Sequence, residues 1–410
     1  MLENLIERFR PGAEIFLPSG PVEIEALNRA FEDHPACLEG VRFTACLIPG
    51  LNSFDPTAVN PSARLRLFLL PPALQSAFEA GRVEVMPIGY SAIARHLITR
   101  APFDLAIAHV TAPDEQGLVS LSIGADFSAL AWKNAKVRIA VINRALPRVA
   151  RSVTLDLDEV DLVVEIDEPV RPFVDAAPSE SVLKIARLAA ERVPDGAAVQ
   201  MGIGGAPGAM WQALSGHREL VIASGLVSEG LRGLDEAGAL AQGADHATGI
   251  ALGSRDFHDW MVRRDLVRFA GADETHDVRA LAQRSNFTAL NSALEIDLYG
   301  QINLEWPGAR LASGVGGAAD FARASQLSSG GQAFVLLPAA AKGATVSRIV
   351  PKITAPTVSM PRSEIDWVVT EEGAVRVRDM DMQERARALI SIAHPDFREG
   401  LERAWSAITR

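Results

Sequence analysis

The chain has 410 residues, is 48% hydrophobic and 22% charged, and carries a net charge of -11 with a pI near 5.3. A chain of this length is too long to fold around a single hydrophobic core, so we predict two domains. The acidic balance argues against a general nucleic-acid-binding protein, because such a protein carries a basic surface.

The first half of the chain alternates short apolar runs with stretches of helical spacing. Helices are predicted over Val22–Phe31 and over Pro72–Ala80, the second with proline in its first turn. The predicted strands are Glu14–Leu17, Arg66–Leu70, Val83–Met86, Leu105–Val110, Arg138–Ile142 and Leu162–Ile166. Strands that alternate with helices are typical of an α/β domain with a largely parallel sheet.

A proline-rich stretch without periodicity, residues 167–179, separates this half from the second. An amphipathic helix over Ser179–Arg192, with Ser179 as its N-cap, then restarts the alternation, and a further helix is predicted over Asp381–Ile392. The strands predicted here are Ala197–Met201, Leu220–Val227, Phe334–Leu337 and Trp367–Val369. We therefore predict two α/β domains, residues 1–175 and 176–410.

Glu229 follows the apolar run Leu220–Val227, which the pattern predicts to be a buried strand that leads into a turn. Burial at such a place raises the pKa of a carboxyl group and removes water from it, which makes a carboxylate a candidate nucleophile. The alternative is structural: Ser228 caps a helix and Glu229 is an ordinary acid in its first turn.

Two glycine clusters are candidate anion or oxyanion sites. The first, residues 202–208, contains Gly202, Gly204 and Gly205 between a predicted strand and a helix over Ala209–Leu214. Backbone N–H groups at such a junction can approach an anion or a thioester oxygen. It is not a dinucleotide fingerprint, because Pro207 occupies the place of the third glycine. A tight turn without a ligand is the alternative.

The second glycine cluster, residues 313–323, contains Gly314, Gly316 and Gly317. Its spacing matches the loose G-x-G-x-x-A variant, although no clean strand precedes it. Two consecutive glycines before Asp320, predicted as a helix cap, form a nest of N–H donors that can serve as an oxyanion hole.

Other patterns that carry chemistry do not occur in the sequence. The eight histidines are scattered without a pair at i, i+4, which argues against a metal site. Neither a G-x-S-x-G elbow nor a Gly-Lys-Ser/Thr triplet is present. The acid-rich stretch Asp156–Asp161 indicates a solvated loop, and Cys37 and Cys46 are predicted to be reduced thiols.

The N-terminal residues Met1–Arg8 are acidic where a signal peptide would be basic. No stretch approaches the roughly 18 apolar residues of a membrane span. We therefore expect no membrane contact and a cytoplasmic location.

Eight short motifs follow one another in an order that resembles the acetyl-CoA hydrolase/transferase family. These class I CoA-transferases include 4-hydroxybutyrate CoA-transferase. The segment Asn291–Asn303 is the most specific of the eight. The others are Pro113–Gly117, Gly202–Gly204, Ser228–Glu229, Gly314–Phe321, Ala341–Gly343, Val369–Glu371 and Ala393–Arg398.

The resemblance implies two related open α/β domains of CoA-transferase type with the active site in the cleft between them. It implies a ping-pong reaction in which Glu229 forms first an acyl anhydride and then a glutamyl-CoA thioester. Backbone N–H groups at Gly316 and Gly317 would stabilise the oxyanions by about 3–4 kcal/mol per good donor. Lys342 would offset the acceptor's charge, or be only a loop residue, and Glu371 would orient other polar groups.

The resemblance further implies no metal and no permanently bound cofactor, with coenzyme A present only as a substrate moiety. The partners it implies are an acyl-CoA and a small carboxylate, in a homodimer or larger homo-oligomer. Nucleic acid is not an expected partner.

Three departures from the family pattern lie near the expected substrate pockets. The segment after Glu229 is about one helical turn short, residues 275–278 replace a usual Asn-x-Pro segment, and residues 304–306 read Leu-Glu-Trp where Ser-Glu is usual. They leave three functions open: a CoA-transferase, an acyl-CoA hydrolase that uses the same glutamate, and a non-catalytic CoA-binding protein. The glycine spacing at residues 202–208 disfavours a dehydrogenase.

Overall fold

The computed structural model describes residues 2–174, 177–202 and 204–408. The chain forms two compact units, each made of several stretches. The first unit comprises Met1–Val174, Ala247–Thr275 and Ala312–Gly316. The second comprises Asp175–His246, His276–Leu311 and Gly317–Arg410. Two short stretches beyond residue 176 therefore fold with the first unit, because their contacts are with it.

The first unit is built on a parallel sheet, as the alternation of strands and helices predicts. Within the described residues this sheet has seven strands, and its resolved neighbouring pairs are all parallel. In spatial order they are Val83–Val85, Arg64–Leu67, Arg42–Ala45, Glu14–Phe16, Phe103–Val110, Ala135–Asn143 and Leu162–Ile166. The interior strand Phe103–Val110 is buried along almost its whole length, which explains its continuous apolar run.

Helices and shorter strands surround this sheet. The α-helices of the first unit are Leu2–Ile6, Glu25–Asp33, Pro56–Val59, Gln75–Glu79, Tyr90–Thr99, Ser128–Lys133, Arg255–Arg264 and Ala272–Thr275. Single 3-10 turns lie at Gly20–Val22, Pro35–Leu38, Pro72–Leu74 and Leu157–Glu159. The shorter strands are Leu118–Ser120, Thr154–Asp156, Ile250–Leu252 and Val267–Phe269, and His246–Thr248 begins at the end of a second-unit stretch.

Prolines lie next to some of the places where predicted and observed elements differ in this unit. The predicted strand Arg66–Leu70 is observed as Arg64–Leu67, and Pro71 and Pro72, which offer no N–H group, follow its end after three intervening residues. The predicted helix over Pro72–Ala80 divides into a 3-10 turn and a short α-helix. The helix predicted from Val22 begins only at Glu25, after a 3-10 turn.

The second unit has a sheet of the same kind. Within the described residues it has six strands, of which the last forms an antiparallel hairpin and the others are parallel. In spatial order they are Val221–Ile222, Ala198–Met201, Thr288–Ser292, Gln332–Leu336, Trp367–Thr370 and Gly373–Arg376. The α/β class predicted for the chain is therefore confirmed in both units.

Two predicted helices of the second unit begin at residues whose side chains cap them. Ser179 accepts a hydrogen bond from the N–H of Val182, and Asp381 forms a capping box with Glu384, so both predicted helix starts are confirmed. The helices are Glu180–Ala190, Gly205–Ala213, Gly230–Glu236, Val278–Ala282, Ala318–Leu327, Met382–Ser391 and Pro395–Ile408. The shorter strands are Leu226–Ser228, Glu295–Asp297, Ile302–Asn303, Ala340–Ala341, Val346–Ser347 and Ile349–Val350.

The carboxyl ends of the parallel strands bring several motifs of the second unit to one edge of its sheet. The first glycine cluster follows Met201, the pair Asn291-Ser292 ends the neighbouring strand, and Glu371 follows Thr370. Ligands of open α/β sheets bind outside the carboxyl ends of the strands. We therefore expect the functional site of the second unit at the carboxyl edge of its sheet.

Candidate active site

The first glycine cluster is a tight turn whose backbone lies against the end of the neighbouring strand. The N–H of Gly202 donates to the carbonyl of Leu290 at 3.0 Å, and a Cβ atom at Gly202 would lie 2.9 Å from Oδ1 of Asn291. Gly204 has a φ of +117°, and the helix begins at Gly205 rather than at Ala209 as predicted. Ile203 lies outside the described residues. The turn thus needs glycine at positions 202 and 204.

Buried polar side chains fix the floor of this turn. Gln200 and Asn291 exchange amide hydrogen bonds of 3.0 and 3.3 Å. The hydroxyl of Ser224 lies 3.3 Å from the backbone nitrogen of Met201 and 3.2 Å from its carbonyl oxygen. These contacts tie three neighbouring strand ends together, so the glycine turn is held on a rigid base.

The predicted strand Leu220–Val227 is interrupted in its middle. Its residues form two short strands, Val221–Ile222 and Leu226–Ser228, separated by residues 223–225. Contacts of the intervening residues explain the interruption: the hydroxyl of Ser224 donates to the carbonyl of Met201, and Gly225 lies against the ring of His276.

Glu229 occupies the single position between the strand Leu226–Ser228 and the helix Gly230–Glu236. Its backbone is helical, with φ -42° and ψ -36°, and it stands at the N-cap position itself. The predicted burial is wrong: Glu229 is exposed at the junction between the strand and the helix. The structural alternative is also wrong in detail, because Ser228 ends the strand and does not cap the helix.

The helix that follows Glu229 is locked against the helix that follows the glycine turn. A Cβ atom at Gly230 would lie 2.2 Å from Cβ and 2.3 Å from Cγ of Trp211, which is 3% exposed. Trp211 belongs to the helix Gly205–Ala213. The indole therefore sets the position of the helix start next to Glu229, a role that sequence patterns did not reveal.

His276 is a buried residue that the sequence marked only as part of a departure from the family pattern. Its ring is 3% exposed and lies against the backbone of Gly225 and Gly317 and against the ring of Phe321, at a centroid distance of 4.6 Å. Burial lowers the pKa of His276 to about 3, so the ring is neutral at ordinary pH.

The second glycine cluster is divided between the two units. Gly314 and Gly316 belong to the first unit: a Cβ at Gly314 would lie 2.0 Å from the carbonyl oxygen of Phe68, and the carbonyl of Gly316 accepts from the N–H of Tyr90 at 3.2 Å. Gly316 has a φ of +67°. Gly317 belongs to the second unit and stands at the N-cap of the helix Ala318–Leu327.

The prediction that Asp320 caps this helix is wrong. Gly317 holds the N-cap position, and Asp320 is the third residue of the helix Ala318–Leu327. The helix can begin earlier than predicted because Ala318 and Ala319 are good helix formers. An acid in the first turn still suits the positive end of the helix dipole.

Glu371 bonds to the backbone just before the hairpin that carries Lys342. Glu371 accepts a hydrogen bond of 2.8 Å from the N–H of Ala339, the residue before the hairpin strand Ala340–Ala341. Lys342 lies at the exposed tip of this hairpin with a φ of +51°. Glu371 thus orients the hairpin that carries Lys342, while Lys342 itself occupies a loop.

The altered segment at residues 304–306 is firmly anchored. Glu305 is buried and accepts from the hydroxyl of Ser359 at 2.6 Å, and the indole N–H of Trp306 donates to Thr357 at 2.8 Å. The amide of Asn303 also donates to the carbonyl of Trp306 at 2.7 Å. This departure from the family pattern therefore has its own partners in the fold.

Among the described residues, no group of three or more His, Cys, Asp or Glu side chains could hold a metal ion. In the same part of the chain, no helix combines the length and apolarity needed to cross a membrane. Cys37 and Cys46 are both free thiols.

The sequence and the fold were compared with known proteins. Two family models match: the acetyl-CoA hydrolase/transferase N-terminal domain over residues 57–175 and the C-terminal domain of the same family over residues 253–405. The chain is 32% identical over 335 residues to the 4-hydroxybutyrate coenzyme A transferase of Clostridium kluyveri, with 80% of this chain and 78% of that protein covered.

Solved structures agree with this assignment. The structure of RipA from Yersinia pestis has a TM-score of 0.93 at 26% identity, covering 99% of this chain and 96% of that chain. The 4-hydroxybutyrate CoA-transferase of Porphyromonas gingivalis has a TM-score of 0.83 at 25% identity, with the same coverage. The chain therefore belongs to the acetyl-CoA hydrolase/transferase family and is an enzyme of that family.

Proposed function

We propose that this enzyme is an acyl-CoA:carboxylate CoA-transferase that works by a ping-pong mechanism through a glutamyl-CoA thioester on Glu229. The observation that carries the proposal is the place of Glu229: an exposed carboxylate at the start of a helix locked by Trp211, in the unit whose sheet edge carries the first glycine cluster. The similarity to a 4-hydroxybutyrate coenzyme A transferase supports it.

The first half-reaction moves CoA onto the enzyme. A carboxylate oxygen of Glu229 attacks the thioester carbonyl, the carbon–sulfur bond breaks, and CoA leaves as a thiolate. The product is a mixed anhydride. The thiolate then attacks the glutamyl carbonyl, the anhydride carbon–oxygen bond breaks, and the donor's carboxylate leaves. The second half-reaction reverses these steps with the acceptor carboxylate, and Glu229 is regenerated without net redox change.

Backbone N–H groups of the second unit suit the charge that develops in these steps. Each attack passes through a tetrahedral oxyanion, and we assign its stabilisation to N–H donors of Gly317 and of the first glycine cluster at Gly204 and Gly205. The N–H of Gly202 is already bonded to the carbonyl of Leu290. One well-placed donor contributes about 3–4 kcal/mol to such a transition state. The rigid floor of Gln200 and Asn291 keeps the turn in place while charge moves.

The test is to trap the intermediate. The enzyme is incubated with butyryl-CoA, reduced with borohydride and digested, and the modified peptide is mapped by mass spectrometry. Glu229→Gln should lose transfer from butyryl-CoA to acetate. Glu236→Gln is the matched control, because Glu236 is an exposed acid that follows Glu229 on the next helix and pairs with Arg232 at 2.7 Å. Modification elsewhere, or full activity of Glu229→Gln, would overturn the proposal.

A second candidate function is acyl-CoA hydrolysis with the same glutamate. The exposure of Glu229 favours it, because water can reach a glutamyl-CoA thioester at that position. A rate of thiol release that does not change when acetate or butyrate is added would assign hydrolysis. A panel of acyl-CoA donors and carboxylate acceptors, each with Glu229→Ala as the blank, identifies the substrates in either case.

A further inference from the structure

His276 joins two segments that the proposed mechanism depends on. Gly225 precedes the strand Leu226–Ser228, which leads directly into Glu229, and Gly317 begins the helix Ala318–Leu327. The imidazole of His276 lies against the backbone of both glycines. Side-chain packing of this kind fixes the separation of two backbone segments.

The distances leave no room for a side chain at either glycine. A Cβ atom at Gly225 would lie 2.6 Å from Cε1 and 2.8 Å from Nε2 of His276. A Cβ atom at Gly317 would lie 2.8 Å from both Cδ2 and Nε2 of the same ring. Carbon atoms in contact normally stay about 3.5–4.0 Å apart. The two glycines are therefore needed because the imidazole occupies the space between them.

The ring is also held from a further side. Phe321 packs on it at a centroid distance of 4.6 Å and an interplanar angle of 43°. Phe321 lies on the helix that Gly317 begins, so the contact repeats the link to that helix. With 3% of its surface exposed, His276 offers almost no surface to a substrate. Its role must act through the backbone it touches.

We infer that His276 is a positioning residue that holds the strand leading to Glu229 at a fixed distance from the Gly317 end of the second glycine cluster. This inference rests on the proposed function of Glu229. The ring acts as a spacer: it sets where the nucleophile's strand stands relative to the helix start that offers N–H groups. The segment Thr275–Val278, a departure from the family pattern, thereby acquires a specific role.

A spacer of this kind affects the chemical step more than substrate binding. Displacement of a reacting group by about 1 Å can reduce the rate 100-fold, whereas contacts to the distant parts of CoA stay unchanged. We therefore expect His276→Ala to lower kcat for transfer from butyryl-CoA to acetate at least tenfold, with KM for butyryl-CoA changed less than threefold.

A matched control separates positioning from general stability. His217 is a half-buried histidine of the same unit, and its Nε2 atom lies 3.0 Å from the carbonyl oxygen of Val193 and 3.2 Å from that of Ala190. His217→Ala removes structural contacts outside the proposed site, so its kcat should stay within twofold of the wild-type value. Urea unfolding midpoints of both variants are measured beside the kinetics.

A compensating pair of substitutions tests the geometry itself. Gly225→Ala alone should reduce kcat and the unfolding midpoint, because the new methyl group collides with the imidazole. In the double variant Gly225→Ala, His276→Ala the collision is removed, so the urea unfolding midpoint should rise above that of Gly225→Ala, while kcat stays low because the spacer is absent.

The outcomes distinguish this inference from the proposal beneath it. If Glu229→Gln is inactive but His276→Ala keeps kcat within twofold, or the urea midpoint of the double variant is no higher than that of Gly225→Ala, the positioning role is wrong. If Glu229→Gln is fully active, the proposed function fails first. A drop in kcat for His276→Ala with unchanged KM, together with a recovered urea midpoint in the double variant, supports the inference.

Discussion

Replacement of Gly230 by alanine is expected to force apart the two helices that flank the candidate nucleophile. The new Cβ atom would lie 2.2 Å from Cβ of Trp211, so the helices must separate by about 1.5 Å to reach normal contact. Such overpacking costs about 1–3 kcal/mol. Because Glu229 directly precedes Gly230, a shift of this size should also lower kcat by roughly 10–100-fold.

The same helix offers a matched control. A Cβ atom at Gly233 meets nothing within 4 Å, so Gly233→Ala should stabilise the chain by the ordinary alanine preference of about 0.5–1 kcal/mol. Since both variants gain that preference, the difference in their unfolding free energies isolates the steric cost.

Urea unfolding of the full chain, followed by circular dichroism, measures this difference, and transfer from butyryl-CoA to acetate measures kcat. Equal urea midpoints for Gly230→Ala and Gly233→Ala would refute the packing argument. A lower midpoint for Gly230→Ala with unchanged kcat would refute the link from Trp211 to Glu229.

Three further predictions concern buried polar groups. Burial raises the pKa of Asp126 from an ordinary 3.8 to about 6, because the folded state disfavours the ionised carboxylate. The free energy of unfolding therefore falls as the pH rises from 3.8 to 6, and the loss is complete above pH 6. Asp126→Asn should stabilise the chain at pH 8 by up to about 3 kcal/mol but hardly at pH 3.5. Burial lowers the pKa of His109 from 6.5 to about 4, so its contribution to stability is fully present above pH 6.5 and is lost as the pH falls toward 4. His109→Gln should therefore flatten the acid side of a plot of urea midpoint against pH, and an unchanged slope would contradict this. Glu371→Ala leaves the N–H of Ala339 without its acceptor and should cost about 1–3 kcal/mol, with faster proteolysis at the hairpin tip near Lys342 as the second readout.

The pattern of apolar runs predicted most strands of both sheets, because parallel strands buried on both faces must be apolar along their length. Leu162–Ile166 was predicted at its observed bounds, and the caps Ser179 and Asp381 marked helix starts. Errors arose where a local contact overruled the pattern. The run Leu220–Val227 is apolar throughout, yet Ser224 and Gly225 interrupt it through partners that are distant in sequence.

The candidate site divides in the same way. The order of motifs identified the family and singled out Glu229, because chemistry needs particular residue types and these can be recognised without coordinates. Residue types alone did not reveal the environment of Glu229, and its predicted burial was wrong. Trp211 and His276 were not predicted as parts of the site, although Gly225 and Gly230 near the candidate nucleophile were a signal that bulky side chains stand opposite them.

The sequence by itself thus determined the α/β class, the family and the identity of the residue that we propose as the nucleophile. These depend on periodicity and on residue type, which the chain carries locally. Only the tertiary structure decided that Glu229 is exposed at a helix start, that Gly316 and Gly317 belong to different units, and that one imidazole separates Gly225 from Gly317. Such facts depend on which distant side chain fills the space that a glycine leaves, and no local pattern records that choice.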